Sequence, residues 1–205
     1  MRTGMIRKGC LVVGVLGCAL QIASADVVCG WNFNEFESEQ TTLASDHGSG
    51  ALDLSALDSS VTVYGGTALN AQQGDLAGTA LGIRGLDANE QWIELTSTVR
   101  GPVQLTFAFR ATPSGFDDNQ IQLLVDGDWA TIGSFGGEQA DGAWHQQILT
   151  LPDQDGAFRL RLFLDGAESA SGTIRFDNLR ITPVSAPGAL LACSTGCLAL
   201  RSRRH

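Results

Sequence analysis

Residues 103–110 of this chain read Val-Gln-Leu-Thr-Phe-Ala-Phe-Arg. The large apolar side chains of Val103, Leu105, Phe107 and Phe109 alternate with small or polar ones, which gives a period of two. That period is typical of a β-strand with one face in a core and the other in water. The pattern therefore predicts a half-buried strand of an antiparallel sheet.

The same alternation recurs along the chain. Apolar residues repeat every second position over 121–125 and over 158–164, where Arg159 and Arg161 stand between them. Further strands are predicted at 27–34, 51–57, 61–64, 80–84, 91–95, 129–135, 144–151 and 173–182. Turn residues separate them at 65–66, 87–89, 101–102, 126–128, 153–156 and 165–166. Residues 26–183 contain no convincing amphipathic helix, so we predict an all-β fold, a two-sheet antiparallel β-sandwich.

The last predicted strand contains a change of phase. Ile174 and Phe176 share one face, as do Leu179 and Ile181, but the odd separation between the two pairs places them on opposite faces. One inserted residue would return both pairs to the core. We therefore predict a β-bulge at Asp177-Asn178.

Both ends of the chain carry targeting features. Basic residues within 1–9, an apolar segment and the small residues Ala23 and Ala25 predict a signal peptide, cleaved after residue 25. Lipidation of Cys18 is an alternative. At the other end, Pro187 precedes a short apolar helix over 188–200, and the tail ends in arginines.

Thirteen helical residues rise only about 20 Å, short of the ~30 Å hydrocarbon core of a membrane. The order of Pro187, apolar segment and Arg201, Arg203 and Arg204 resembles PEP-CTERM sorting signals, although Pro-Glu-Pro itself is absent. The resemblance implies an exosortase-type sorting enzyme as partner, contact with the membrane before processing, and delivery to the cell envelope, cell surface or extracellular matrix. A plain C-terminal anchor is the alternative for residues 184–205.

The body of the chain, residues 26–183, is strongly acidic. It holds all 22 acidic residues against seven arginines, a net charge of −15, and it has no lysine. Such a surface repels nucleic acid. Its one cysteine, Cys29, excludes an internal disulfide and is predicted to be a small buried hydrophobe.

The two ends of this body show a second resemblance. Residues 31–37, Trp-Asn-Phe-Asn-Glu-Phe-Glu, and residues 172–181, Gly-Thr-Ile-Arg-Phe-Asp-Asn-Leu-Arg-Ile, look like the first and last strands of jelly-roll domains of the carbohydrate-binding-module type. The resemblance implies that these strands lie side by side. It also implies a structural calcium held by Glu35 or Glu37 together with Asp177, because calcium takes oxygen ligands.

Sugar binding would require exposed aromatic rings that stack on pyranose faces, with polar side chains beside them. The candidate rings are Tyr64, Trp92, Trp129 and Trp144. Asn119, His145 and Gln146 are candidate polar companions.

Three functions are compatible with these features. The first is a non-enzymatic structural or adhesive protein of the envelope or matrix, and the alternative is a module that binds extracellular polysaccharide. The third is a glycoside hydrolase, since Glu35, Glu37 and Glu39 would line one face about 7 Å apart if they lay in a strand. We expect instead that this run leaves the first strand into a polar loop. Catalytic motifs are otherwise missing, and we expect no enzymatic activity.

Overall fold

The computed structural model describes residues 27–57, 60–72 and 74–184. These residues form antiparallel β-strands and two short 3-10 helices, at Leu86–Ala88 and Gly137–Gln139. The strands are β1 Cys29–Trp31, β2 Thr42–Ala44, β3 His47–Gly48, β4 Gly50–Asp53, β5 Val61–Gly65, β6 Thr79–Arg84, β7 Gln91–Ala111, β8 Asp118–Val125, β9 Asp128–Gly136, β10 His145–Leu164 and β11 Thr173–Pro183. The predicted all-β antiparallel class is confirmed.

The strands form two layers that share β7 and β10. The first layer contains β5, β6, β11, β1 and β3 together with residues 103–111 of β7 and the first half of β10. The second contains β2, β4, the first half of β7, the second half of β10, β8 and β9. The apolar faces of both layers meet in one core.

The two long strands correct the predicted boundaries. Turns were expected at 101–102 and at 153–156, but β7 and β10 continue through both. Gly101, with a φ of 93°, pairs with Gln154, beside the bulge that shifts the β10 register between Leu151 and Gln154. Glycine adopts such φ values without steric cost. The paired strands therefore bend together from one layer into the other.

The predicted bulge in the last strand is confirmed. The β11–β7 register shifts between Asp177 and Arg180, and Asn178 has a φ of 49°. The four apolar side chains of the two pairs are all buried: Ile174, Phe176, Leu179 and Ile181. The prediction that the first and last strands are neighbours is also confirmed, because β1 pairs with β11.

The bulge lies where β11 changes partners. Before it, residues 173–176 pair with β6, and after it, residues 179–181 pair with β1. On the other edge β11 pairs with β7 along both segments. The bulge residues therefore occupy the gap between β6 and β1, where their backbone groups need other partners.

Aromatic rings fill the centre of the core. Phe135 of β9 packs against Phe107, Phe109 and Phe176, with ring centroids 5.1, 5.4 and 6.0 Å away. Cys29 is fully buried and unpaired, as predicted, and burial raises the pKa of its thiol to about 11. This core joins both layers.

The first residues after β1 differ from the prediction. A strand was expected to continue to residue 34, but β1 ends at Trp31 because Phe33, with a φ of 55°, turns the chain. Two short strands, β2 and β3, were not predicted, since three- and two-residue strands are too short to show a period. The predicted signal peptide, residues 1–25, and the predicted apolar helix over 188–200 lie outside the described residues. Within the described ranges, no helix is long and apolar enough to cross a membrane.

Candidate functional site

Two of the four predicted aromatic residues meet on the outer face of the second layer. Trp92 and Glu94 project outward from β7, because Ile93 and Leu95 between and beside them are buried. On β10, Arg161 lies directly opposite Glu94. Trp129 reaches the same place from β9. We call Trp92, Glu94, Trp129, Arg159 and Arg161 the tryptophan–arginine face.

Arg161 stands at the centre of this face. Its guanidinium carbon lies 4.1 Å from the centroid of the Trp92 ring and 3.9 Å from that of Trp129. The guanidinium carbon of Arg159 lies 5.6 Å from the Trp129 ring. At such distances the cation is attracted to the negative face of each ring. The two indoles are thereby held in fixed positions while both stay partly exposed.

Glu94 anchors both arginines from below. Its Oε1 accepts a hydrogen bond from Arg159 Nε at 2.6 Å, and its Oε2 accepts one from Arg161 Nε at 3.1 Å. The Glu94 side chain is 9% exposed and that of Arg161 is 18% exposed, whereas Arg159 is half exposed. Arg159 therefore keeps N–H donors available to solvent.

A polar border lies next to the arginines, on β8 and β9. Gln122 is opposite Arg161 in the β10–β8 pair, and Thr131 is opposite Gln122. The Gln120 Oε1 atom accepts hydrogen bonds from Thr131 Oγ1 at 2.7 Å and from Gln122 Nε2 at 3.2 Å. Aromatic surface and fixed amide and hydroxyl groups thus lie side by side, as recognition of a sugar ring and its hydroxyls requires.

The other two predicted aromatic residues lie on the opposite surface of the sandwich. Tyr64 belongs to β5 in the first layer, and its ring lies against Gly82, whose missing Cβ leaves it room. The Arg175 guanidinium carbon lies 4.0 Å from the Tyr64 ring. Trp144 directly precedes β10 in the same layer. The four rings therefore do not form a single platform.

The three predicted polar companions are engaged elsewhere. Asn119 is fully buried, and its side chain bonds the backbone at Phe116, Phe135 and Asp165. The His145 ring packs 5.8 Å from Phe109 and lies 2.9 Å from Asp141 Oδ1. Gln146 donates to Asn70. None of them belongs to the tryptophan–arginine face.

Asp177 anchors the loop that follows β5. Its Oδ2 accepts a hydrogen bond from Thr67 N at 2.6 Å and its Oδ1 one from Asn178 N at 2.8 Å. The Asn178 side chain donates to the Thr67 and Leu69 carbonyls. At the bulge itself, the Asn178 N–H is thus bonded to Asp177 Oδ1, and the Asn178 carbonyl accepts a hydrogen bond from Asn70 Nδ2 at 2.7 Å. Burial is the main cause that raises the pKa of Asp177 to about 7, and nearby Asp75 adds to the effect.

The residues suggested for calcium are not assembled into a cluster. Glu35 and Glu37 are exposed in the turns after β1, whereas Asp177 is buried and bonded to backbone N–H groups. Across 27–57, 60–72 and 74–184, no three His, Cys, Asp or Glu side chains lie close enough together to hold a metal. Calcium binding therefore stays a prediction from the resemblance.

The alternating glutamates do not line a strand. Glu35, Glu37 and Glu39 fall in turns between β1 and β2, and all three are exposed. The expected exit of this run from the first strand into a polar loop is confirmed, because Phe33 ends the extended backbone before the first of the three glutamates. The signal-peptide residues Ala23 and Ala25 and the sorting residues Pro187, Arg201, Arg203 and Arg204 lie outside the described residues.

The sequence did not identify Arg159 and Arg161 as part of the candidate site. Arg159 and Arg161 stand between buried residues of a strand with period two, so their outward direction was predictable. Their stacking with Trp92 and Trp129 depends on the pairing order β7–β10–β8–β9. No feature of the sequence alone gives that order.

The fold and this face define the class of the molecule as an all-β antiparallel sandwich with an outer surface of aromatic and cationic side chains. Solved structures of similar fold include the CBM22-1–CBM22-2 tandem domain of Paenibacillus barcinonensis Xyn10C, at 14% identity and a TM-score of 0.48, covering 86% of this chain and 50% of that one. The chain thus spans half the length of that structure.

Two further similar structures are single modules. The CBM22-1 xylan-binding domain of the same Xyn10C has 16% identity and a TM-score of 0.45, covering 80% of this chain and 97% of that one. TmCBM61 in complex with β-1,4-galactotriose has 12% identity and a TM-score of 0.44, covering 75% and 94%. No family model and no curated protein matches the sequence. At these values the comparisons assign neither a family nor a ligand.

Proposed function

We propose that this protein is a non-enzymatic, exported protein that binds extracellular polysaccharide on the tryptophan–arginine face. The observation that carries the proposal is the pair of partly exposed indoles, Trp92 and Trp129, fixed on one outer face by Arg161. This favours the carbohydrate-binding function over a purely structural or adhesive one.

The chemistry of the face suits an uncharged sugar chain. Indole rings stack on the apolar faces of pyranoses, and the Arg159 guanidinium and the glutamine amides beside it can exchange hydrogen bonds with hydroxyl groups. Because Glu94 already pairs with both arginines, the face does not require an anionic ligand. Side chains held in place by packing lose little entropy when they bind.

Replacement of Trp129 by alanine tests this function. We expect the Kd for a neutral polysaccharide, measured with unsubstituted xylan and with β-1,4-galactan by isothermal titration and tryptophan fluorescence, to rise about five- to thirtyfold, since loss of a stacking ring costs about 1–2 kcal/mol. The matched control is Trp144→Ala, which removes a half-buried tryptophan from the opposite surface and should leave the Kd unchanged. Equal losses in both variants, or absence of saturable binding by the unaltered protein, would contradict the proposal.

The proposed place of action is the cell envelope, cell surface or extracellular matrix. We expect residues 184–205, fused to a secreted reporter in a bacterium that carries an exosortase-type enzyme, to retain the reporter in the membrane or envelope fraction. Replacing Arg201, Arg203 and Arg204 by alanine should release it, since arginines near an apolar segment resist translocation. Free secretion of the reporter with the unaltered tail would refute sorting by this segment.

A further inference from the structure

Two arginines lie side by side on the outer face of the first layer. Arg175 of β11 is the direct cross-strand partner of Arg110 of β7. Like charges at directly opposite positions destabilise a sheet, and opposite residues of antiparallel strands lie only about 5 Å apart. A chain with seven arginines against 22 acidic residues in this region has ample carboxylates to neutralise such a pair.

The two arginines nevertheless have no carboxylate partner among the described residues. The ion pairs of that part of the chain involve His47, Arg100, His145, Arg159 and Arg161. Asp177, two residues from Arg175 on the same strand, turns its carboxylate to the backbone N–H groups of Thr67 and Asn178. The Arg110 Nε atom is buried without a hydrogen-bond partner in the described structure.

A buried N–H donor without an acceptor, such as Arg110 Nε, lowers the stability of the folded protein. Burying a polar group without a hydrogen bond costs about 1–3 kcal/mol in proteins, and more for a charged group. The repulsion between Arg110 and Arg175 adds to that cost. Burial and the neighbouring Arg110 charge both lower the pKa of Arg175, yet a guanidinium remains protonated at neutral pH. An anion bound by the two guanidinium groups would neutralise the repulsion and offset part of this cost.

Aromatic residues lie next to the pair in both directions across the sheet. Tyr64 lies beneath the Arg175 guanidinium on one side. On the other side, the Gly142 N–H donates to the Ala111 carbonyl and His145 pairs with Phe109, which places the backbone between them, including Trp144, next to Arg110. Both rings are partly exposed. The cationic pair thus has the Tyr64 ring against one arginine and Trp144 next to the other along the neighbouring strand.

We propose that Arg110 and Arg175 bind the carboxylate of a uronic acid unit in a polysaccharide, with Tyr64 and Trp144 against the sugar chain. Two guanidinium groups match the geometry of a carboxylate, which accepts paired N–H bonds. The surrounding charge of −15 disfavours polymers with dense negative charge and allows a single carboxylate in a largely neutral chain. This site lies on the surface opposite the tryptophan–arginine face and does not depend on it.

The experiment compares glucuronoxylan, unsubstituted xylan and a sulfated xylan as probes of the protein by isothermal titration. For Arg175→Gln and Arg110→Gln we expect the Kd for glucuronoxylan to rise at least tenfold, with the Kd for unsubstituted xylan unchanged. Arg100→Gln is the matched control, because Arg100 is 85% exposed and its partner Asp155 is 96% exposed. It should bind glucuronoxylan like the unaltered protein.

Folding and alternative ligands are controlled separately. Removing one of two repelling charges should leave the melting temperature unchanged or higher, so weaker binding by Arg175→Gln cannot be attributed to unfolding. The proposal is overturned if glucuronoxylan and unsubstituted xylan bind equally to all variants, if the sulfated polymer alone responds to the arginine substitutions, or if acetate at equal concentration competes as well as glucuronate. Trp129→Ala should retain the preference for glucuronoxylan, which separates this site from the proposed function.

Discussion

Replacing Phe107 by alanine is expected to lower the free energy of unfolding by about 3–5 kcal/mol. Phe107 is fully buried in β7, with the rings of Phe135, Phe176 and Phe109 at centroid distances of 5.1, 5.8 and 6.1 Å. Deleting its ring removes buried apolar surface and leaves a cavity between the two layers. A domain of this size is stabilised by only about 5–15 kcal/mol, so the loss is a large share of the total.

Urea denaturation followed by tryptophan fluorescence measures this change. The control is Ile148→Ala, which removes an aliphatic side chain from β10 that points away from the core and is 53% exposed. We expect less than about 1 kcal/mol for that substitution. A similar loss in both variants would show that the phenylalanine cluster does not hold the two layers together.

Stability is expected to decrease as the pH rises through the range in which Asp177 titrates. Its pKa is about 7 in the folded protein, against a reference value of 3.8. Between these values the folded state binds a proton that the unfolded state has released, so folding is favoured at the acidic end and this contribution is lost as the pH approaches and passes 7. From pH 5 to pH 8 the loss from this group is on the order of 2 to 3 kcal/mol.

Asp177→Asn isolates the contribution of this carboxyl group from all other titrating groups. Asparagine keeps one acceptor oxygen and resembles the protonated acid. The free energy of unfolding of the unaltered protein minus that of the variant should therefore fall from pH 5 to pH 8 and level off above it. A difference that stays constant across this range would mean that Asp177 is ionised in the folded protein throughout.

Periodicity predicted the strands well, because burial on one face leaves a direct record in the sequence. It also located the bulge at Asp177-Asn178, where two buried pairs differ in phase. The same reasoning could have joined 91–95 to 103–110, since Ile93, Leu95, Val103 and Leu105 are all odd-numbered and all buried. Gly101-Pro102 suggested a turn instead, but the glycine bends a strand that continues.

The candidate sites were less predictable because they depend on which strands pair. Trp92 and Trp129 are 37 positions apart, and only the order β7–β10–β8–β9 brings both to Arg161. Trp144 and Tyr64 are also aromatic residues of predicted strands, but they lie on the opposite surface. Likewise, the absence of a carboxylate near Arg110 and Arg175 within the described residues follows from the register of β7 and β11. Sequence gives the outward direction of a side chain, whereas pairing gives its neighbours.

Binding at the tryptophan–arginine face is tested by the indole N–H signals of the four tryptophans in a ¹H–¹⁵N spectrum of the labelled protein during titration with xylohexaose. We expect the Trp92 and Trp129 signals to shift and the Trp144 signal to stay unchanged. The Trp31 signal should also stay unchanged, because its Nε1 donates to the Leu43 carbonyl in the core. Assignment by single Trp→Phe variants identifies each signal. Saturable shifts confined to Trp144, or no shift of Trp92 and Trp129 with any neutral oligosaccharide tested, would contradict binding at the tryptophan–arginine face.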